Sequence, residues 1–215
     1  MRERAEKILK LLEEEYPYVR GTVLRWETPL DLLVATMLSA QSTDEKVNEV
    51  TESLFKKYHT AEDYAYAPSE ELEEEIRSTG FYRRKAGFIR EACRAIVEEH
   101  GGEVPRSMET LTGLKGVARK TANIVLGNAF GMVEGIAVDT HVMRLSKRLG
   151  LTEERYREKI ERALMEMVPR PKWFPFSNLL IEHGRRVCNA KKPDCEGCVL
   201  KELCPSAFTF PHNRR

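Results

Sequence analysis

The sequence predicts an all-α protein, and three observations carry that expectation. Apolar residues recur at steps of three and four along most of the chain. No segment alternates apolar and polar residues for long, as a half-buried strand would. No internal repeat or low-complexity linker interrupts the pattern. In chain order, residues 4–15 set Ile8, Leu9, Leu11 and Leu12 mostly along one stripe of an amphipathic helix. Pro29 opens an apolar helix running from Leu32 to Leu38. Residues 43–58 form another, with Val47, Val50, Leu54 and Tyr58 at helical spacing. Ser69, after Pro68, reads as the N-cap of a helix that buries Leu72 and Ile76. Further helices are expected over 82–99, 118–129, 139–149, 153–168 and 174–187.

Composition excludes several classes. Of 215 residues, 41% are hydrophobic, with no long apolar run, which describes a soluble globular chain and argues against a membrane protein. A formal charge of +1 argues against a general polyanion binder, although a near-neutral total can hide a basic face. Acidic residues crowd the Glu70–Glu75 stretch. Basic ones gather at Arg77, Arg83, Arg84, Lys85, Arg90 and Arg94, then at Lys115, Arg119 and Lys120, then at Arg144, Lys147 and Arg148. The charged start Met1-Arg2-Glu3-Arg4 is not a signal peptide, so a reducing, cytoplasmic setting is expected.

Four cysteines near the C-terminus carry the sharpest chemical signal. Cys188, Cys195, Cys198 and Cys204 follow the spacing C-x6-C-x2-C-x5-C, close enough for four thiolates to surround one metal centre. Four thiolates suit an iron–sulfur cluster and also a structural zinc. Disulfides, in three possible pairings, are the third reading, which a reducing compartment disfavours. Zinc modules usually set two close cysteine pairs apart by a longer knuckle, a pattern missing here. The fifth cysteine, Cys93 in Ala92-Cys-Arg-Ala95, reads as a small buried hydrophobe.

Upstream lies Leu111-Thr-Gly-Leu-Lys-Gly-Val-Ala-Arg-Lys-Thr-Ala-Asn123. It reads as a helix end, a short turn in which Gly116 takes a positive φ, and a new helix beginning near Ala118. Amides of such a turn, leading into a helix N-terminus, are donors for an anion such as a DNA phosphate. A plain helical connection is the bland alternative. Further on comes Gly135-Ile-Ala-Val-Asp-Thr-His-Val-Met-Arg144, in which Asp139 is on local grounds a good helix N-cap.

Taken with the cysteine spacing, these two segments resemble the endonuclease III family of DNA glycosylases, the helix–hairpin–helix group with a glycine-and-aspartate loop. Leu38-Ser-Ala-Gln-Ser-Thr-Asp44, Gly80-Phe-Tyr-Arg-Arg-Lys-Ala86 and Ile181-Glu-His-Gly-Arg185 resemble further family segments in the family's order. The resemblance spans about residues 5–205. It implies a two-lobed fold, with a six-helix barrel over residues 22–132 and a second lobe of residues 1–21 with 133–215 that carries a 4Fe-4S cluster on the four cysteines.

The resemblance also assigns roles. Lys120 is implied as the nucleophile at C1′ of a damaged nucleotide, forming a Schiff base. Asp139 is implied as the carboxylate that deprotonates the amine or steadies the sugar. Gln41 would fill the hole left by a flipped nucleotide, and Phe81 would wedge against the opposite strand. Leu114, Gly116, Ala118 and Arg119 would form the DNA-binding hairpin. Asp44 would line the pocket or cap the helix starting there, and His141 would stand near the pocket without binding metal. The family hairpin usually has proline and a second glycine where this chain has Lys115 and Ala118. The expected partner is duplex DNA carrying damaged bases or abasic sites, bound by a monomer with no membrane attachment. A monofunctional mismatch thymine or uracil glycosylase is the enzymatic alternative. A non-catalytic hairpin module with a redox cluster is the other.

Overall fold

A computed structural model describes residues 1–210. Among them every regular element is helical. The α-helices are α1 (Arg2–Glu15), α2 (Pro29–Leu38), α3 (Asp44–Lys57), α4 (Ala61–Tyr66), α5 (Ser69–Glu75), α6 (Tyr82–His100), α7 (Met108–Gly113), α8 (Arg119–Ala129), α9 (Thr140–Arg148), α10 (Arg157–Met167) and α11 (Trp173–Arg186). Short 3-10 turns lie at Arg77–Thr79, Arg170–Lys172 and Lys201–Leu203. No helix among the described residues is long and apolar enough to cross a membrane.

The chain divides into two compact units: Thr22–Glu134, and Met1–Gly21 together with the described residues from Gly135 onward. The first unit is built around α2. Thr28 and Asp31 close a reciprocal capping box, with Thr28 Oγ1 accepting from the Asp31 amide at 3.1 Å and Asp31 Oδ2 from the Thr28 amide at 2.9 Å. Pro29 stands at the first helical position, where its missing N–H costs nothing. Every residue from Leu30 to Leu38 is buried, as expected of a helix that is apolar all round. Around it, α6 presents Ala86, Ile89, Ala92, Cys93 and Ile96 at helical spacing. Cys93 is the small buried hydrophobe its surroundings suggested, and burial pushes its thiol up to about 12.

Two local expectations need correcting. Helix α4 has no counterpart in the sequence reading, because its six residues are too few to display a period. A Thr60–Asp63 capping box starts it, and Tyr64 stacks on Tyr58 with ring centroids 4.9 Å apart. Ser69 is not an N-cap but the first residue of α5, where its hydroxyl donates to Glu73 at 3.2 Å; the cap position falls on Pro68.

The second unit packs the apolar stripe of α1 (Ala5, Ile8, Leu9 and Leu12) into a core shared with Leu145, Leu164, Phe176 and Leu180. Helices α9 and α11 approach so closely that a Cβ on Gly184 would lie 2.8 Å from His141 Nδ1. Glycine is what lets these two helices meet.

Candidate functional site

Four separate constructions carry the residues singled out by the sequence. In the unit spanning Thr22–Glu134, α7 and α8 are joined by a turn in which Gly116 has φ +78°. A side chain there is excluded twice, since its Cβ would also lie 2.8 Å from Phe88. Leu114 is buried, and its amide and carbonyl bond to Leu111 and Val117 to close the turn. Its side chain therefore shapes the hairpin from inside rather than facing a ligand. Ala118, where the family has glycine, adopts φ −85° in the extended region, so the substitution carries no strain. No side chain caps α8, and no acidic residue lies in its first turn. That turn instead begins with exposed Arg119 and half-buried Lys120.

The same unit holds a recess of about 250 Å³ lined by Met37, Gln41, Phe81, Arg84, Phe88 and Gly116, among others. Gln41 and Phe81 are exposed residues with φ of 56° and 50°. A left-handed conformation is rare for non-glycine residues and concentrates where surrounding structure enforces it. Phe81 is 63% exposed, so it is not part of the hydrophobic core. Beneath both loops Lys85 is only 6% exposed; its ammonium donates to the carbonyls of Leu38 at 2.7 Å and Thr79 at 2.8 Å. Burial lowers its pKa to about 8. Nearby, Thr43 caps α3 by accepting from the Lys46 amide, so Asp44 is the first helical residue rather than the cap.

Asp139, in the other unit, caps α9: its Oδ1 accepts from the amides of His141 and Val142, both at 2.8 Å. His141 is half-buried and shares a hydrogen bond with Arg144 at 3.1 Å. Desolvation is the largest influence on it and holds its pKa below the usual histidine range.

The four C-terminal cysteines are free thiols lining one recess, whose wall includes Leu145, Leu149 and His183. The amide of Leu200 is directed at Cys198, and those of Ser206 and Ala207 at Cys204. Burial still pushes the Cys198 thiol up to about 11 and raises that of Cys204. His183, 2% exposed, bonds Tyr16 Oη at 2.8 Å and Cys198 Sγ at 3.3 Å; burial lowers its pKa to about 4. Among the described residues no group of three His, Cys, Asp or Glu side chains is arranged to hold a single metal ion.

Arg144 and Arg148, counted from the sequence among the clustered basic residues, are turned onto the protein's own carbonyls. Arg144 donates to the carbonyls of Gly184 and Cys188. Arg148 donates to Cys188 Sγ at 3.3 Å and to the carbonyls of Asn189 and Ala190 at 2.8 Å. Together they fasten the start of the cysteine loop to α9. Arg77 and Arg83 likewise pair with Glu74 and Glu73 of the acidic stretch, leaving that face less positive than a count of its arginines suggests.

Residues 34–170 match the family of HhH-GPD superfamily base excision DNA repair proteins. The chain is 55% identical over 206 residues to Endonuclease III of Synechocystis sp. (strain ATCC 27184 / PCC 6803 / Kazusa), covering 96% of this chain and 94% of that one. Its fold matches the structure of a non-covalent endonuclease III–DNA complex with TM-score 0.93 and 41% identity, over 97% of each chain. A trapped endonuclease III–DNA covalent intermediate matches equally, at TM-score 0.93 over 97% of this chain and 98% of that one. The chain thus falls in a class of base excision repair proteins, and within that class it belongs to the endonuclease III family, which makes it a DNA glycosylase with lyase activity.

Proposed function

We propose that this protein removes oxidised or ring-saturated pyrimidines from duplex DNA and then cuts the strand 3′ to the abasic site, with Lys120 as nucleophile. The observation that carries the proposal is Lys120 itself, set in the uncapped first turn of α8 directly after the Gly116 turn. In this reading the unit Thr22–Glu134 is the helical barrel lobe with the hairpin, and the other is the cluster lobe.

The neutral Lys120 amine forms a bond to C1′ as the bond from C1′ to the base breaks, and the base departs with a proton. Opening of the sugar ring leaves an iminium between Lys120 and C1′. Loss of a proton from C2′ then expels the 3′ phosphate oxygen, and water releases the lysine. Asp139 engages one oxygen in capping α9, which leaves the other to accept the amine proton or steady positive charge at the sugar. Gln41 takes the place of the extruded nucleotide and Phe81 separates its neighbours on the opposite strand. Extrusion costs a few kcal/mol, and rigid, pre-strained wedges lower that barrier because they need no ordering during the event. The α8 amides hold a backbone phosphate.

The four cysteines fit a 4Fe-4S cluster. Each iron takes one thiolate, so the sulfurs need to ring a recess rather than converge on one point, and amides aimed at sulfur stabilise thiolate charge. Bound there, such a cluster would supply a rigid cross-link and a redox centre rather than a catalytic group. Held there, it would fix the loop bordered by exposed Arg185, Arg186, Lys191 and Lys192, whose side chains would hold DNA phosphates. The protein acts as a monomer in the cytoplasm.

Borohydride trapping on a duplex with one thymine glycol tests the chemistry. Wild type should give a covalent adduct and Lys120→Ala none. Base release by both proteins without an adduct would point instead to a monofunctional glycosylase, and binding without release to a non-catalytic module. For the cofactor, anaerobically purified protein should contain four irons and four labile sulfides per chain; zinc in their place would refute the cluster.

A further inference from the structure

We propose that Lys85 is a positioning residue for base extrusion: one buried ammonium ties together the two loops that present Gln41 and Phe81. The inference rests on the wedge role given to those residues above, and it explains how they are held.

Lys85 lies on the apolar face of α6, beside Ala86, Ile89 and Ala92. Burying a cation opposes folding, and an apolar side chain of the same length would fill the space at lower cost. Its described partners include no carboxylate, only two carbonyl groups. Leu38 is the last residue of α2, and Thr79 the last of the 3-10 turn Arg77–Thr79. Carbonyls at helix ends lack helical partners and favour a nearby cation. The loop leaving each carbonyl gives the ammonium its significance. Gln41 is three residues beyond Leu38, and Phe81 is two beyond Thr79; they are two of the three non-glycine residues with positive φ among those described. Lys85 also lines the recess that both share. The two strained loops are far apart in sequence, and a single side chain sets the spacing of their starting points.

The test uses a duplex carrying thymine glycol with 2-aminopurine beside it, whose fluorescence rises on unstacking, and compares wild type with Lys85→Met. The same variant is assayed for nicking at a preformed abasic site, where no base needs extruding. Lys85→Met should slow the fluorescence rise and lower the ratio of thymine glycol to abasic activity by about 10-fold or more, as a misplacement near 1 Å does. Equal loss on both substrates, or an unchanged rise, overturns the inference. Gln41→Ala and Phe81→Ala separate it from its premise. If neither slows the rise, the wedge reading itself fails. If both do and Lys85→Met does not, only the role of Lys85 falls. Should Lys85→Met not fold, Lys85→Gln replaces it, keeping two N–H donors without charge. Failure of both to fold makes Lys85 a structural residue and overturns the inference.

Discussion

Helices α8 and α9 begin in opposite ways. Helix α9 begins with a side-chain cap: Asp139 accepts from two first-turn amides, and at its far end Lys147 and Arg148 complement the dipole. Helix α8 does not. Its cap position is Ala118, whose side chain cannot accept a hydrogen bond, and the cations Arg119 and Lys120 sit at its positive end. A helix start that forgoes this stability is what the proposed phosphate contact at the α8 amides would complete. The two proposed catalytic residues therefore differ in what their removal reveals. Lys120 contributes no cap, so its loss exposes chemistry directly. Asp139 holds a helix together, and its chemistry hides behind its structural work.

Separating those two jobs should give the largest effect. Asparagine caps a helix about as well as aspartate, but has no carboxylate. Asp139→Asn should keep the wild-type denaturation midpoint while base release in single turnover falls about 10²- to 10⁴-fold. Asp139→Ala should show the same catalytic loss plus about 1 kcal/mol of destabilisation from the missing cap. An Asn variant with full activity would reduce Asp139 to a cap, and the contrast between the helix starts would then concern stability alone.

A smaller effect is expected at the turn before α8. In Gly116→Ala the new methyl meets both the +78° φ and Phe88 at 2.8 Å, so hairpin and α6 must part. The loss should be about 1–3 kcal/mol in urea melts. Fluorescence anisotropy should show weaker DNA binding, because the amides move with the turn. Stability lost without affinity lost would place the phosphate contacts elsewhere.

Both helix starts were legible in the sequence, because Gly116 and Asp139 are residue types with few local uses. The long helices were legible too, α2 from its apolar run and α6 from its period. What stayed hidden depends on tertiary context. Nothing in Arg83-Arg84-Lys85 marks the third cation as the buried one; in a charge run, solvation of all three is the local expectation. Positive φ at Gln41 and Phe81 cannot be read from residues that ordinarily avoid it. Arg144 and Arg148 counted toward a basic face because the carbonyls they meet, those of residues 184 and 188–190, lie about forty residues away in sequence. Composition reports charge, but only packing says what that charge faces.

The finest test gives α8 the cap it lacks. Ala118 already has the extended backbone of an N-cap residue, so serine or aspartate enters without strain. Ala118→Ser should stabilise the protein by about 1 kcal/mol, since its hydroxyl accepts from one uncapped amide. Ala118→Asp should gain at least as much, because its charge also meets the positive end of the dipole. DNA affinity should move the other way. Serine competes with a phosphate for one donor, whereas aspartate adds repulsion and should weaken binding about 10-fold, with a salt dependence shallower by about one phosphate contact. Anisotropy titrations across a range of salt concentrations, paired with thermal melts, read both quantities on one protein. A variant that gains stability and binds as tightly as wild type would show that DNA does not use the α8 amides, leaving the bare helix start without the anion proposed to complete it.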